Sequence, residues 1–153
     1  PSMVDKIVVA GGLFGGNIFI RSFVHAARFF NTFLSYQSMY SLFSYLLMPR
    51  KRNQRARRVY QKYASNLTQD EYLKWVDLYH EFFQLLIKFR NTPLRHQMHI
   101  VMGGDDYVFL SAAKSFTQQQ EEATLDVLPK VGHICNIEAS DSFNHIALKY
   151  LLE

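Results

Sequence analysis

The sequence has one cysteine, Cys135, among its 153 residues. A single cysteine excludes an internal disulfide and leaves no Cys-x-x-Cys pair for a metal, so we expect a protein of a reducing compartment, the cytoplasm. No His-Glu-x-x-His spacing is present and the six histidines are scattered. The sequence therefore predicts neither a metal nor another cofactor.

Nucleotide-binding motifs are also missing. Gly11, Gly12, Gly15 and Gly16 follow the apolar run Val4–Ala10, which is typical of a strand. Their spacing matches neither Gly-x-Gly-x-x-Gly nor a Walker motif, and no acidic residue follows at the distance that would suit a ribose. We interpret the four glycines as a turn from a strand into a helix.

The net charge of +4 comes from one short segment. Seven of the seventeen basic residues lie between positions 50 and 62, in a predicted helix over Arg50–Ala64 whose apolar side is Ala56, Val59, Tyr60 and Tyr63. A nucleic-acid or anionic-lipid surface is one interpretation of this basic helix. A solvated helix face is favoured, which predicts no nucleic-acid partner.

An uncharged stretch, Phe29–Met48, precedes the basic segment, and its length raises the possibility of a membrane span. Its asparagine, threonine, glutamine and serine side chains would lie unsatisfied in hydrocarbon. Two amphipathic helices within 17–48 explain the pattern better, since aromatic residues recur there at steps of three and four. Thr68 and Glu71 then form a capping box for a helix that continues to about Phe89.

Strands and helices alternate after Pro93. The pattern predicts strands at Gln97–Met102 and Thr124–Leu128, helices at Phe109–Gln120 and Asp141–Glu153, and a loop at Pro129–Asn136. Ser140 or Asp141 is the predicted N-cap of the last helix. Apolar strands that alternate with helices are typical of a parallel sheet.

Two of these strands are followed by residues that carry chemistry. Gly103-Gly104-Asp105-Asp106 ends the first, and Val131-Gly132-His133 follows the second. An acid after one strand and a histidine after the next are two members of a Ser-His-Asp triad. Asp106 is the candidate acid with Asp105 as its rival, although either could instead cap the helix near Phe109.

A nucleophile is not evident. Ser111 and Ser142 are candidates by residue type only, because no Gly-x-Ser-x-Gly is present. Cys135 lies two residues from His133, where side chains on one loop seldom face each other, so we expect a buried free thiol.

The segment from His99 to Glu153 resembles the C-terminal part of the α/β-hydrolase superfamily, through the Gly-x-x-Asp turn at 103–106, the Gly132-His133 pair and Asp141-Ser142-Phe143. The resemblance implies an α/β fold: a parallel three-stranded partial sheet of an α/β hydrolase with a helical cap insertion. Residues 1–12 and 93–153 would form the core and residues 13–92 the cap. Asp106 would be the triad acid and His133 the base.

In that family the nucleophile elbow and the oxyanion loop precede the strand that matches Val4–Ala10. We therefore expect the chain to be the C-terminal half of a hydrolase, inactive alone. The open edge of that strand would recruit another strand, in a homodimer, a swapped assembly or a complex with the missing N-terminal half.

The expected substrate is a small acyl compound with an ester, thioester or similar carbonyl. The aromatic cap suggests an apolar acyl or alkyl group, and the candidate binding residues are Phe29, Phe33, Tyr36, Tyr40 and Tyr107. The alternative is a non-catalytic binding or interaction module that uses the cap pocket or the basic helix 50–62.

Overall fold

The computed structural model describes residues 3–15 and 18–153. Its elements, in chain order, are β1 (Lys6–Ala10), α1 (Ile18–Phe30), α2 (Tyr36–Leu47), a 3-10 turn (Lys51–Asn53), α3 (Gln54–Ala64), α4 (Gln69–Arg90), β2 (Gln97–Gly103), α5 (Leu110–Gln119), β3 (Ala123–Leu128), α6 (Cys135–Glu138) and α7 (Ser140–Leu152).

The three described strands form one parallel sheet in the order β1-β2-β3. Ala10 at the end of β1 pairs with Val101, and Gly103 at the end of β2 pairs with Leu128. Parallel pairing brings the carboxyl ends of all three strands to one edge of the sheet. The predicted α/β fold with a three-stranded parallel sheet is confirmed.

The central strand β2 is covered on both faces at its apolar residues Ile100, Val101 and Met102, which are fully buried. Ile100 and Met102 pack with Phe116 of α5 on one face, in the main hydrophobic core. Val101 points the other way and packs with Cys135 and with residues of α7. Because side chains alternate along a strand, these buried residues fix which face of β2 meets which helix.

Among the described residues between β1 and β2, there are four α-helices and the 3-10 turn. The predicted helical stretch 17–48 begins at Asn17, which lies outside the described residues, and it divides into α1 and α2. Ser35 caps α2, since its side chain accepts a hydrogen bond from the Ser38 amide at 3.3 Å. None of the described helices is both long enough and apolar enough to cross a bilayer.

The capping box of α4 is confirmed. The Thr68 hydroxyl accepts a hydrogen bond from the Glu71 amide at 3.2 Å, and the Glu71 carboxylate accepts one from the Thr68 amide at 2.8 Å. These bonds satisfy two of the amides that a helix start leaves without partners. Hydrogen bonds from the amide and from the hydroxyl of Thr68 to the Glu71 carboxylate lower the pKa of Glu71.

The basic segment differs from its predicted pattern. Its first turn is 3-10, and Tyr63, which was predicted on the apolar side, is 69% exposed. Arg57 is buried instead and donates hydrogen bonds to the carbonyls of Met48 and Arg50. A guanidinium can be buried where backbone carbonyls accept hydrogen bonds from it. A periodicity that counts only apolar residues does not predict such a buried arginine.

Two predictions near the C-terminus were wrong. The loop predicted for 129–136 ends in the short helix α6, and α7 follows after Ala139 alone. Ala139 is therefore the N-cap of α7, without a side-chain hydrogen bond, and Ser140 and Asp141 already lie inside the helix. The short connection leaves no room for a separate polar cap residue.

Candidate active site

Asp106 and His133 meet at the carboxyl edge of the sheet. Nδ1 of His133 lies 2.8 Å from Oδ2 of Asp106, whose side chain is 0% exposed. A carboxylate only accepts hydrogen bonds, so Nδ1 is the donor and Nε2 of the neutral imidazole is left as the basic nitrogen. An imidazole oriented in this way by a buried carboxylate can take up a proton at Nε2.

Asp106 also performs the capping role that the sequence left open. Its Oδ1 accepts a hydrogen bond from the amide of Phe109 at 3.1 Å, at the start of α5. The Phe109 ring packs against the His133 ring, with centroids 4.9 Å apart. One carboxylate therefore orients both the imidazole and the helix that packs against it.

The rival acid, Asp105, faces the basic segment. Arg50 and Arg52 form ion pairs with its two carboxylate oxygens. The hydrogen bond from Arg50 is the main reason that the pKa of Asp105 is lowered. Two of the seven basic residues between positions 50 and 62 therefore contact the loop that carries Asp106.

Close packing of backbones explains the glycines at this edge. A Cβ at Gly103 would lie 2.0 Å from the Gly132 oxygen and 2.4 Å from the Val131 oxygen. Gly11 has a φ of +56°, and a Cβ there would lie 2.3 Å from the oxygen of His133. The loop of His133 therefore rests directly on the ends of β1 and β2.

A network of hydrogen bonds between Asn53, Glu138 and Gly132 also holds the loop that carries His133. Glu138 accepts hydrogen bonds from the Gly132 amide at 3.1 Å and from Nδ2 of Asn53 at 2.5 Å. Asn53 is 1% exposed, and its Oδ1 accepts from the Arg50 amide at 3.2 Å. Sequence reasoning missed Asn53 and Glu138, because neither lies in a motif and they are 85 residues apart.

The candidate nucleophiles within this chain do not join the pair. Ser111 and Ser142 are exposed, and in the described part of the chain no side chain forms a hydrogen bond with Nε2 of His133. Cys135 is a buried free thiol, as predicted, that donates to the Val101 carbonyl at 3.3 Å. Burial raises its pKa to about 11, so the thiol stays protonated.

The five candidate substrate residues are not brought together. Phe29 and Phe33 are 65% and 77% exposed, and their rings contact each other. Tyr36 is buried and donates to the Leu67 carbonyl, while Tyr107 is exposed and donates to the Leu46 carbonyl. Tyr40 lines a cavity of about 160 Å³ among the helices α1 to α4.

A second imidazole–carboxylate pair lies within the sheet. Nε2 of His99 lies 3.2 Å from Asp126, and its Nδ1 lies 2.7 Å from the Thr124 hydroxyl. The Tyr150 ring stacks on this imidazole at a centroid distance of 4.8 Å. Because both ring nitrogens of His99 have hydrogen-bond partners, neither is available to act as a catalytic base.

Among residues 3–15 and 18–153, no three metal-binding side chains cluster.

Solved structures confirm the fold. An esterase from Exiguobacterium antarcticum superimposes with a TM-score of 0.65 at 12% identity, covering 98% of this chain and 58% of its own. An α/β-hydrolase enzyme from a Medee basin deep-sea metagenome library gives a TM-score of 0.61 at 14% identity, covering 100% and 58%. The chain therefore has the α/β-hydrolase fold and spans 58% of the length of each of these two proteins.

No protein-family model matches the sequence, and no curated protein matches it either.

Proposed function

We propose that Asp106 and His133 are the acid and base of a Ser-His-Asp triad that hydrolyses an ester, a thioester or a similar carbonyl compound. The observation that carries the proposal is the 2.8 Å contact between Nδ1 of His133 and the buried Asp106. A neutral imidazole held in this way keeps Nε2 free to take a proton from a hydroxyl nucleophile.

In the proposed reaction, Nε2 of His133 removes the hydroxyl proton as the serine oxygen attacks the carbonyl carbon. The same proton then passes to the leaving oxygen or sulfur, and the acyl group stays on the serine. Water, activated by the same imidazole, releases the acid. Asp106 keeps its charge throughout and stabilises the imidazolium that forms in each step.

The serine is proposed to lie outside residues 1–153. Two observations favour this: the sequence contains no Gly-x-Ser-x-Gly, and the two hydrolase structures extend well beyond the part that this chain matches. Residues 13–92 are proposed as the cap, since α1 to α4 all lie between β1 and β2. A second chain segment, from another copy or from the missing half, is proposed to pair with the open edge of β1.

A serine-directed fluorophosphonate and a p-nitrophenyl ester test the proposal on the protein that carries this chain together with its upstream residues. We expect both labelling and hydrolysis, and a loss of about 100- to 10,000-fold in hydrolysis on His133→Ala, the usual contribution of a general base. His145→Ala is the matched control, since His145 is exposed on α7.

Labelling and hydrolysis that survive His133→Ala unchanged would rule out the triad. Residues 1–153 expressed alone are expected to remain unlabelled. Labelling of that shorter chain would instead place the nucleophile within it.

A further inference from the structure

The cavity among the helices α1 to α4 is lined mainly by aromatic rings. Its volume is about 160 Å³, which is the size of cavities that hold a benzene-sized molecule. Among the described residues, the wall consists of seven aromatic and four aliphatic side chains. Asp106, His133 and charged side chains are not among these eleven.

The wall also carries the hydroxyl groups of tyrosines. Among the described residues, no hydrogen-bond partner is found for the hydroxyls of Tyr40, Tyr60 and Tyr79. Burial is the main reason that the pKa of each phenol is raised, and the neighbouring phenols add to the shift. Each group is therefore a neutral O–H donor that can bond to an acceptor on a ligand in the cavity.

Packing holds the rings of this wall in place. The Tyr40 ring lies between those of Tyr60 and Tyr72, at centroid distances of 5.6 and 5.4 Å. Phe23 stacks on Phe43 at 4.8 Å. Trp75 is 60% exposed although it lines the cavity, so the cavity reaches the surface beside its ring.

We propose that this cavity is a binding site for a small, neutral aromatic compound with one acceptor oxygen, such as a ketone or an ester carbonyl. The apolar rings take the hydrocarbon part, and a tyrosine hydroxyl donates to the oxygen. An anion is disfavoured because none of the described side chains that line the wall is a cation that could compensate its lost hydration. The site is separate from the Asp106–His133 pair and stands whether or not that pair hydrolyses a substrate.

Acetophenone and ethylbenzene are a matched pair of probes, since they share a ring and a two-carbon group and differ in the carbonyl oxygen. Trp75 is the one tryptophan of the sequence, so its indole N–H gives a single, assignable signal in a ¹H–¹⁵N spectrum of the chain. We expect a saturable shift of this signal with acetophenone. Ethylbenzene should bind about three- to tenfold more weakly, the value of one neutral hydrogen bond.

Two variants locate the ligand. Ala27→Leu adds three carbons to a buried position of the wall and should abolish the shift. Tyr60→Phe keeps the ring, removes one donor and should reduce the preference for acetophenone over ethylbenzene. Tyr63→Phe is its control, because Tyr63 lies on the same helix but is exposed.

Three results would overturn the proposal: no saturable shift of Trp75, a shift that persists in a folded Ala27→Leu protein, or equal binding of the two probes. Should Ala27→Leu fail to fold, the proposal is still tested by the preference for acetophenone over ethylbenzene. This preference is compared between Tyr60→Phe, Tyr79→Phe and the control Tyr63→Phe. Equal preference for acetophenone in all three would refute a role for the cavity hydroxyls. Hydrolytic activity enters none of these readouts.

Discussion

Replacing Gly103 with alanine tests the claim that the end of β2 positions His133. The new Cβ would lie 2.0 Å from the Gly132 oxygen, whereas real Cβ contacts essentially never fall under 3.0 Å. The obstacle is backbone, so the loop of His133 must move by about 1 Å. A shift of that size lengthens the 2.8 Å contact between His133 and Asp106 beyond hydrogen-bond distance.

The expected cost has two parts. Overpacking of this kind costs about 1–3 kcal/mol, and the loss of a hydrogen bond to a carboxylate adds about 1.5–3 kcal/mol. The free energy of unfolding of Gly103→Ala should therefore fall by about 2.5–6 kcal/mol, measured by urea denaturation. In the complete protein, the displaced imidazole should also reduce ester hydrolysis by about 100-fold.

Gly104→Ala is the matched control. A Cβ at Gly104 would lie 3.2 Å from the Leu128 oxygen, so its neighbour need yield only a few tenths of an ångström. We expect this variant to stay within about 1 kcal/mol of the wild type. If Gly103→Ala proves as stable and as active as Gly104→Ala, the close approach of the two backbones is not what places His133.

Other predictions concern the surroundings of the pair. Asn53→Ala should destabilise the fold by about 2–3 kcal/mol in urea denaturation, because it removes one of the two hydrogen bonds to the Glu138 carboxylate and leaves only that from the Gly132 amide; a neutral effect would contradict the network. The pKa of Asp105 is lowered in the folded state, so its ion pairs stabilise the protein above the ordinary value of 3.8 and this stability is lost as the pH falls through the lowered value. Asp105→Asn should accordingly be less stable than the wild type at pH 7 and equal to it in strong acid, whereas a constant difference would refute the linkage. Cys135 should resist iodoacetamide at about pH 8 until urea unfolds the chain, since its pKa is about 11, and rapid alkylation of the folded protein would show that the thiol is accessible. Size-exclusion chromatography with light scattering should find a dimer or larger species through the β1 edge, and a stable monomer would count against strand pairing there.

Local sequence signals were sufficient for much of the fold. The apolar run at 100–102 and the glycine pair after it identified β2 and its end, because the part of a strand that is covered on both faces is continuously apolar. The Thr68–Glu71 capping box placed the start of α4 to the residue. The contact between Asp106 and His133 could be predicted because each residue follows a strand, and parallel strands bring such residues to one edge.

Contacts between residues far apart in the chain could not be predicted from such local sequence signals. Glu138 and Asn53 are 85 positions apart, and nothing in either segment marks them as partners. The burial of Arg57 depends on carbonyl groups that the preceding turn happens to expose. Phe29 and Phe33 have the aromatic pattern of a pocket yet lie in solvent, because apolar spacing gives a helix face without showing what that face contacts.

The most direct test of the account is the protonation pattern of the His133 ring, observed by ¹⁵N NMR in the chain itself. In the neutral imidazole, the 2.8 Å contact predicts the proton on Nδ1, seen as a low-field ¹H signal of that N–H, and a bare Nε2. Asp106→Asn should remove that signal and move the proton to Nε2, because the amide can donate to Nδ1. A wild-type imidazole that already carries its proton on Nε2, or a signal that is unchanged in Asp106→Asn, would contradict the pairing from which the proposed function follows.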